Sequence, residues 1–446
     1  MHHLALNVPD IMLSLFRGTF RCSDTDDPAD WPWAVFWGDK DTVWLDHGEA
    51  VANMSLYLPS SFDRPPRNTA LKINSGYKAW EHMYHFYNIL PGLLWSLMDV
   101  EFYEHYCKLV AGARVSLLLE SPSDFRPLAH KLLVEFVEDF ERLYYCRRGD
   151  RLHFCRHSIH LLVHLIPETH LRGPLWLISQ WPLENCIGNL TREIGSHSQP
   201  YANLAARATR RGQVNALTAI YPELGTREQL PKNAIELGDG YVLLSWGKDA
   251  RAREIEGAEA TALRDFLSEN NTVIPDTWRP AVWKWARLRL PNEQIARTAF
   301  GECKGEARNK PVHRSRMVKV TFCLRGDKFV QVQYFFRLTM PLADGTRHTA
   351  TLAMVSDFTP PDPAILEKTH GVLMVCRYQG PEFRRVVDVK EILTVVGMLP
   401  LRPRAEEAVH PDAAELYSNR FFVVQKLGFD MSWIGRGVDN VHEDDD

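Results

Sequence analysis

The chain has 446 residues, of which 45% are hydrophobic and 24% charged, and its formal net charge is −4. That length exceeds what one ordinary core fills, so two domains are expected, and the near-neutral charge excludes a global pull toward nucleic acid or membrane, leaving only local sites. Eight cysteines without a Cys-x-x-Cys pair exclude a zinc ribbon and a thioredoxin-type site and read as reduced thiols of an intracellular protein.

Residues 4–20 read as an apolar helix or strand–helix carrying Asp10, core-like from the first residues, as in a chain that begins inside a domain. Neither a signal peptide nor a run of about 20 apolar residues for a membrane span is written, so a soluble, non-secreted protein is expected. Residues 22–48, with Pro28 and Pro32, read as a loop with a short helix, and 60–74, with Pro65 and Pro66, as an extended connector. From Gly76 the residues Trp80, Met83, Tyr84 and Tyr87 recur at helical spacing until Pro91. Helices are predicted over 100–119 and 127–145. The second carries the stripe Leu132, Leu133, Phe136, Phe140 and Tyr144 with acids on its wet side.

The stretch 152–195 organises the rest. His157, His160 and His164 share one helix face opposite Ile159, Leu162 and Ile166. His160, His164 and Glu168 at i, i+4 and i+8 offer a metal two imidazoles and a carboxylate. The His-Glu-x-x-His pattern is absent, and histidines bonded at a packed surface explain the spacing more plainly. Glu184 follows Pro182 in the first turn of a predicted helix, where a favourable dipole contact is its simplest role. A helix over 201–220 places Arg207, Arg210 and Arg211 on one face, with Arg192 nearby. These and the run from Lys304 to Lys319 are the local basic patches; a phosphate backbone would suit them, and a solvated face is the commoner explanation.

After residue 224 the character changes. Residues 226–314 read as a partly disordered connector with a weak helix over 251–267. From Met317 the period becomes two, and strands are predicted over 318–322, 330–335, 350–355, 372–378, 386–389 and 421–424. They make a small all-β barrel or sandwich over 315–435, followed by an acidic tail, 436–446. The expected fold class is α+β multidomain.

His160-Leu161-Leu162-Val163-His164-Leu165, then Gly173-Pro174-Leu175, Trp181-Pro182-Leu183-Glu184-Asn185 and Gly188-Asn189-Leu190 form a block that resembles one in transposases of the CACTA (En/Spm) class, with fungal Plavaka-like and Kyakuja–Dileera–Zisupton relatives. Lys72-Ile73-Asn74-Ser75-Gly76-Tyr77-Lys78-Ala79-Trp80-Glu81 resembles a helix start of these proteins, and Asn7-Val8-Pro9-Asp10-Ile11-Met12 the segment around one of their acids. In the β part, 331–336 and 386–392 are similar to the domain that follows the core in fungal copies.

The resemblance implies an RNase H-like nuclease lineage, in which three acids hold two divalent metals, Mg²⁺ or Mn²⁺, for DNA cleavage and joining. Glu184 then matches the last acid and Asp10 the second, while Glu81 falls where the family often has an acid in its inserted helical region. The first acid would lie upstream of Met1. The implied architecture is a mainly α-helical region over 1–225, a partial RNase H-like core with a helical insertion, before the β domain. The implied function is that of a transposon-derived protein, similar to the C-terminal part of a DDE transposase and without autonomous activity. It would be nuclear, with DNA, a second copy of itself or other transposon-encoded proteins as partners, and no membrane. Two further readings stay open: a non-enzymatic DNA- or protein-binding module using Arg192, Arg207, Arg210 and Arg211, and an active fragment of a metal-dependent transposase.

Overall fold

The computed structural model describes residues 2–38, 40–62, 65–118, 125–175, 178–192, 194, 198–224, 230–270, 278–306, 313–322, 326–341 and 347–427. Among them every regular element up to residue 224 is helical, and strands begin at Ile235. The strands pair antiparallel throughout, in open sheets. The protein is α+β, as expected. The β part holds no closed barrel among the described residues, because the sheets end in unpaired edge strands.

The first helix runs from a π turn, His2–Asn7, into Val8–Phe16. Ala5, Val8, Met12, Leu15 and Phe16 are fully buried along one side, while Asp10 faces solvent. The middle of the body is a helical run that changes pitch: Ala79–Tyr84 is α, His85–Ile89 is π and Leu90–Leu94 is α again. Pro91 explains the irregularity. It has no N–H for the carbonyl of Tyr87 four residues earlier, and a buried carbonyl without a donor is costly. The neighbouring helix Val100–Ser116 supplies the missing donors. Arg114 donates to Tyr87 O from Nε at 3.0 Å and from Nη2 at 2.7 Å, the Tyr106 hydroxyl donates to Phe86 O, and the Tyr103 hydroxyl donates to Pro91 O at 2.7 Å. Helix Phe125–Phe140 packs closely on the same element. A Cβ on Gly112 would come within 2.3 Å of Leu133 Cγ, so the contact requires glycine.

The stretch 226–314, expected as a connector, holds six strands and two helices among its described residues. Ile235–Gly238, Tyr241–Leu244, Arg287–Arg289 and Ile295–Arg297 form a four-stranded sheet in that spatial order. It shares one core with a five-stranded sheet ordered Arg384–Asp388, Arg347–Asp357, Gly326–Pro341, Met317–Phe322 and Ile392–Val395. Val332, Phe335, Ala353 and Val355 face the first sheet, and Tyr334, Phe336, Leu352 and Met354 face the helix Gly257–Glu269. The switch from Val332 to Phe335 on one face is made by a bulge, since the register passes from Val332↔Val355 to Tyr334↔Met354 and leaves Gln333 unpaired.

A third sheet, Val375–Arg377, Arg420–Val424 and Gly397–Pro400, belongs to the helical body's core: Val375, Leu399, Phe422 and Val424 are buried with Phe86 and Leu90. A Cβ on Gly92 would lie 2.3 Å from the Phe422 ring. Arg114 Nη1 also donates to Val372 O at 2.8 Å, so the guanidinium that mends the kink ties this sheet on as well. The tail 436–446 lies outside the described residues.

Two predictions follow from this core. Arg114→Met strands the carbonyls of Tyr87 and Val372 and lowers stability by about 3 kcal/mol, and adding Pro91→Ala, which restores an N–H to the kink, recovers part of that loss in denaturant melts. Additivity of the two substitutions would contradict the account. The second concerns pH. Burial pushes His47 down to about 3 and His105 to about 4, and burial with the neighbouring His47 lowers His85 as well. These rings stay neutral in the fold but take up protons below pH 6.5 when unfolded, so stability present above pH 6.5 is lost on acidification, by up to about 1.4 kcal/mol per pH unit for each ring. Melting temperature should therefore fall steeply from pH 6.5 to pH 5, and His105→Gln should flatten the slope; a pH-independent melt over that window contradicts it.

Candidate functional site

The three helical segments of the resemblance meet around the helix Ala79–Tyr84, while 331–336 and 386–392 lie apart in the five-stranded sheet. The π turn His2–Asn7 packs on it, placing Asp10 near His82. Half-buried Trp181 packs against the body's core beside Trp80, ring centroids 6.4 Å apart and edge to face, and so anchors the helix Trp181–Arg192. Glu184, one turn from Trp181, is exposed and makes no ion pair among the described residues. Its backbone N–H donates to Gln180 O at 3.0 Å, as a first-turn residue should.

Glu81 is in a different state. It is 2% exposed, and its carboxylate accepts four hydrogen bonds: from Arg67 N at 3.1 Å, Arg67 Nε at 2.8 Å, Arg67 Nη2 at 2.6 Å and Lys78 N at 2.9 Å. Burial alone would raise its pKa, but the Arg67 guanidinium and these N–H groups outweigh it and hold the carboxyl below its ordinary value. Four donors fill the lone-pair sites of a carboxylate. Glu81 caps the helix and pins the 65–68 segment, with no acceptor left for a metal.

Asp10 lines a polar cleft of about 490 Å³ with Asn7, Ser14, Arg17, Asn74 and His82. Arg17, two helical turns after Asp10 on the same face, lays its guanidinium over the Trp44 ring at 4.6 Å. Burial lowers the pKa of His82, with Asp10 and Glu81 offsetting this in part. The i, i+7 spacing of Asp10 and Arg17 is readable in the sequence; the approach of His82 is not.

The histidine segment is broken. His157–His160 is α, Leu161–His164 is 3₁₀ and Leu165–Arg172 is α. Pro167 withholds an N–H from Val163 O, which accounts for the tightened turn. His160 and His164 remain exposed neighbours, Nε2 to Nε2 at 3.4 Å. Glu168 does not join them; it pairs with Arg172 at 2.7 Å. Among the described residues no group of three or more His, Cys, Asp and Glu side chains is placed to hold a metal ion, and Asp10, Glu81 and Glu184 are not gathered into one.

The helix Pro200–Ile220 has no buried residue. Its 21 residues contain three arginines and no acid. Arg207 and Arg210 are exposed and Arg211 half-buried. Beyond the short 3₁₀ turn Pro222–Leu224 that continues it, it packs on the helix Trp181–Arg192, on which Arg192 folds back, Nη2 to Asn189 Oδ1 at 3.2 Å. In the run from Lys304 to Lys319, the residues whose side chains are described are occupied structurally: Arg314 covers the Tyr57 ring at 4.4 Å and Arg316 pairs with the buried Glu302 at 3.5 Å. No helix among the described residues is long and apolar enough to cross a membrane.

The contrast between the carboxylates is open to measurement. Glu81→Gln should lower the melting temperature by several degrees, because it leaves Arg67 without its counter-ion, whereas Glu184→Gln, at an exposed first turn, should leave it unchanged. The reverse order would mean that the roles assigned to the two acids are wrong.

Comparison with protein-family models, with curated proteins and with solved structures returns no match for this chain.

Proposed function

We propose that the chain is a transposase-derived protein that holds duplex DNA through the helix Pro200–Ile220 and does not itself cut or join it. The observation that carries the reading is the helix itself: about 30 Å long at 1.5 Å per residue, cationic, without an acid and outside the core. A helix with buried residues owes its sequence to packing; this one does not, and its arginines stand on one face at i, i+3 and i+4, suited to successive phosphates or a groove wall. The lineage is supported by the order of the matching segments and by the meeting of the three helical ones at Ala79–Tyr84. The absence of cleavage is supported by the acids. Glu81 is saturated by Arg67 and Lys78, and Asp10, Glu81 and Glu184 are not gathered into one metal-holding group among the described residues. Two-metal phosphoryl transfer needs several carboxylates converging on ions about 4 Å apart.

A cutting enzyme of this lineage would need Mg²⁺ or Mn²⁺ held by Asp10, Glu184 and a further acid, and Glu81, filled by Arg67 and Lys78, does not supply that acid. DNA, with nuclear residence, is the partner this reading implies, and further copies or other element-encoded proteins are compatible with it.

A mobility-shift titration of the full chain with duplex DNA at several salt concentrations tests the proposal. Affinity should fall as salt rises, and Arg207→Ala with Arg210→Ala should reduce the log–log slope by about 2 and weaken binding roughly tenfold at low salt. No shift at low salt, or a slope untouched by the double substitution, overturns the DNA reading. Nicking in Mn²⁺ that disappears in Glu184→Gln overturns the statement that the chain does not cut.

A further inference from the structure

The four-stranded sheet presents an aromatic and cationic surface that the proposed duplex contact does not use. Trp246 is 68% and Trp283 48% exposed, unusual for the largest side chain in a folded protein. The register Leu244↔Arg287 brings Trp246, two residues on, back over the neighbouring chain, where the Arg287 guanidinium lies 3.8 Å from its ring centroid. The Lys248 ammonium sits between two more rings, 5.4 Å from Trp283 and 4.6 Å from Trp285. The row therefore alternates ring and cation.

The row is held rigidly. Trp285 is buried, and its backbone exchanges both hydrogen bonds with Phe335 of the five-stranded sheet, at 2.8 and 3.1 Å. The turn that carries Trp246 and Lys248 is clasped by Asp249 N donating to Lys284 O at 2.8 Å. Gly247, at φ +80°, sits where a Cβ would come 2.8 Å from Ala286 Cβ, so only glycine lets the turn lie this close.

We infer that this surface binds single-stranded nucleic acid, with unpaired bases stacking on Trp246 and Trp283 and phosphates drawn to Lys248 and Arg287. Sequence-tolerant single-strand binding needs rings in a row with cations between them, and both components are placed here. Two other occupants suit the chemistry less. A methylated lysine would bring a further positive charge to rings that already carry Arg287 and Lys248, and like charges repel, whereas a base carries no charge and its phosphate is drawn to the same cations. A proline-rich peptide would use the rings but has no call on the charges. Duplex DNA keeps its bases stacked inside and offers them no access to a protein ring.

The surface is independent of the arginine helix, so the two readings fail separately. Anisotropy of a labelled oligo-dT of about 12 nucleotides is measured with the full chain at low salt, beside a duplex of equal length, a proline-rich peptide and a trimethyl-lysine peptide. The oligo-dT should bind, and Trp246→Ala or Trp283→Ala should each weaken it about tenfold, with Trp246→Phe recovering most of the loss. Lys248→Ala should weaken binding and flatten its salt dependence. Duplex binding should survive the tryptophan substitutions, and oligo-dT binding should survive Arg207→Ala with Arg210→Ala. Both tryptophans are exposed, and a melting curve of each variant checks that it has folded. No binding of oligo-dT at low salt overturns the inference, as does binding indifferent to both tryptophans or a peptide that binds more tightly than the oligonucleotide.

Discussion

The helical body depends on one repair. Pro91 sits in the middle of a fully buried run, where its missing N–H leaves a carbonyl unpartnered in an apolar surround. The run responds by opening into a π turn, and Arg114, Tyr106 and Tyr103 reach across from one helix to satisfy Tyr87, Phe86 and Pro91. Because these donors lie on a single element, the mutual position of the two helices is fixed by hydrogen bonds as well as by packing. Because Arg114 also holds Val372, the third sheet is fixed by the same group. The convergence around Ala79–Tyr84 is a consequence: that helix is the first part of the repaired run, and the segments bearing Asp10 and Trp181 dock on it.

Much of this was legible in the residues. The stripe from Leu132 to Tyr144 and the basic helix are placed correctly because each has a long periodic signal, and the strands from Met317 onward show a clear period of two. What was not legible has identifiable causes. Arg287–Arg289 has one buried residue, Leu288, between two arginines, and no alternation can be read from three positions. Strands this short owe their existence to partners along the chain, such as Leu244 for Arg287, so the residues alone read as a connector. The histidine spacing reads as one continuous helix, but Pro167 breaks it, and Glu168 pairs with Arg172 instead of with the two imidazoles that its spacing offered.

The candidate site shows the same limit in chemical form. Glu81 looked like an acid at a helix start, and it is one. Its true partner, Arg67, stands in a proline-rich segment that showed no periodicity to align, so nothing in the order of residues announced that the carboxylate was taken. Glu184 presents the opposite case: its surroundings add nothing to the first-turn role that its position already suggested. The third carboxylate, Asp10, gains most from the fold, because packing sets His82 and Arg17 beside it in a polar cleft.

The two cationic surfaces differ in how their charges are held, and this bears on what each would select. Arg207 and Arg210 project from a helix with no buried residue, so their side chains keep rotamer freedom and can follow phosphates whatever the sequence between them. Lys248 and Arg287 are fixed over indole rings on a sheet braced by Phe335, so their positions are set before any ligand arrives. A mobile cation gains from charge alone, whereas a fixed cation beside a ring gains only from a ligand that brings charge and a flat face together. Duplex DNA offers the first kind of ligand and an unpaired strand the second.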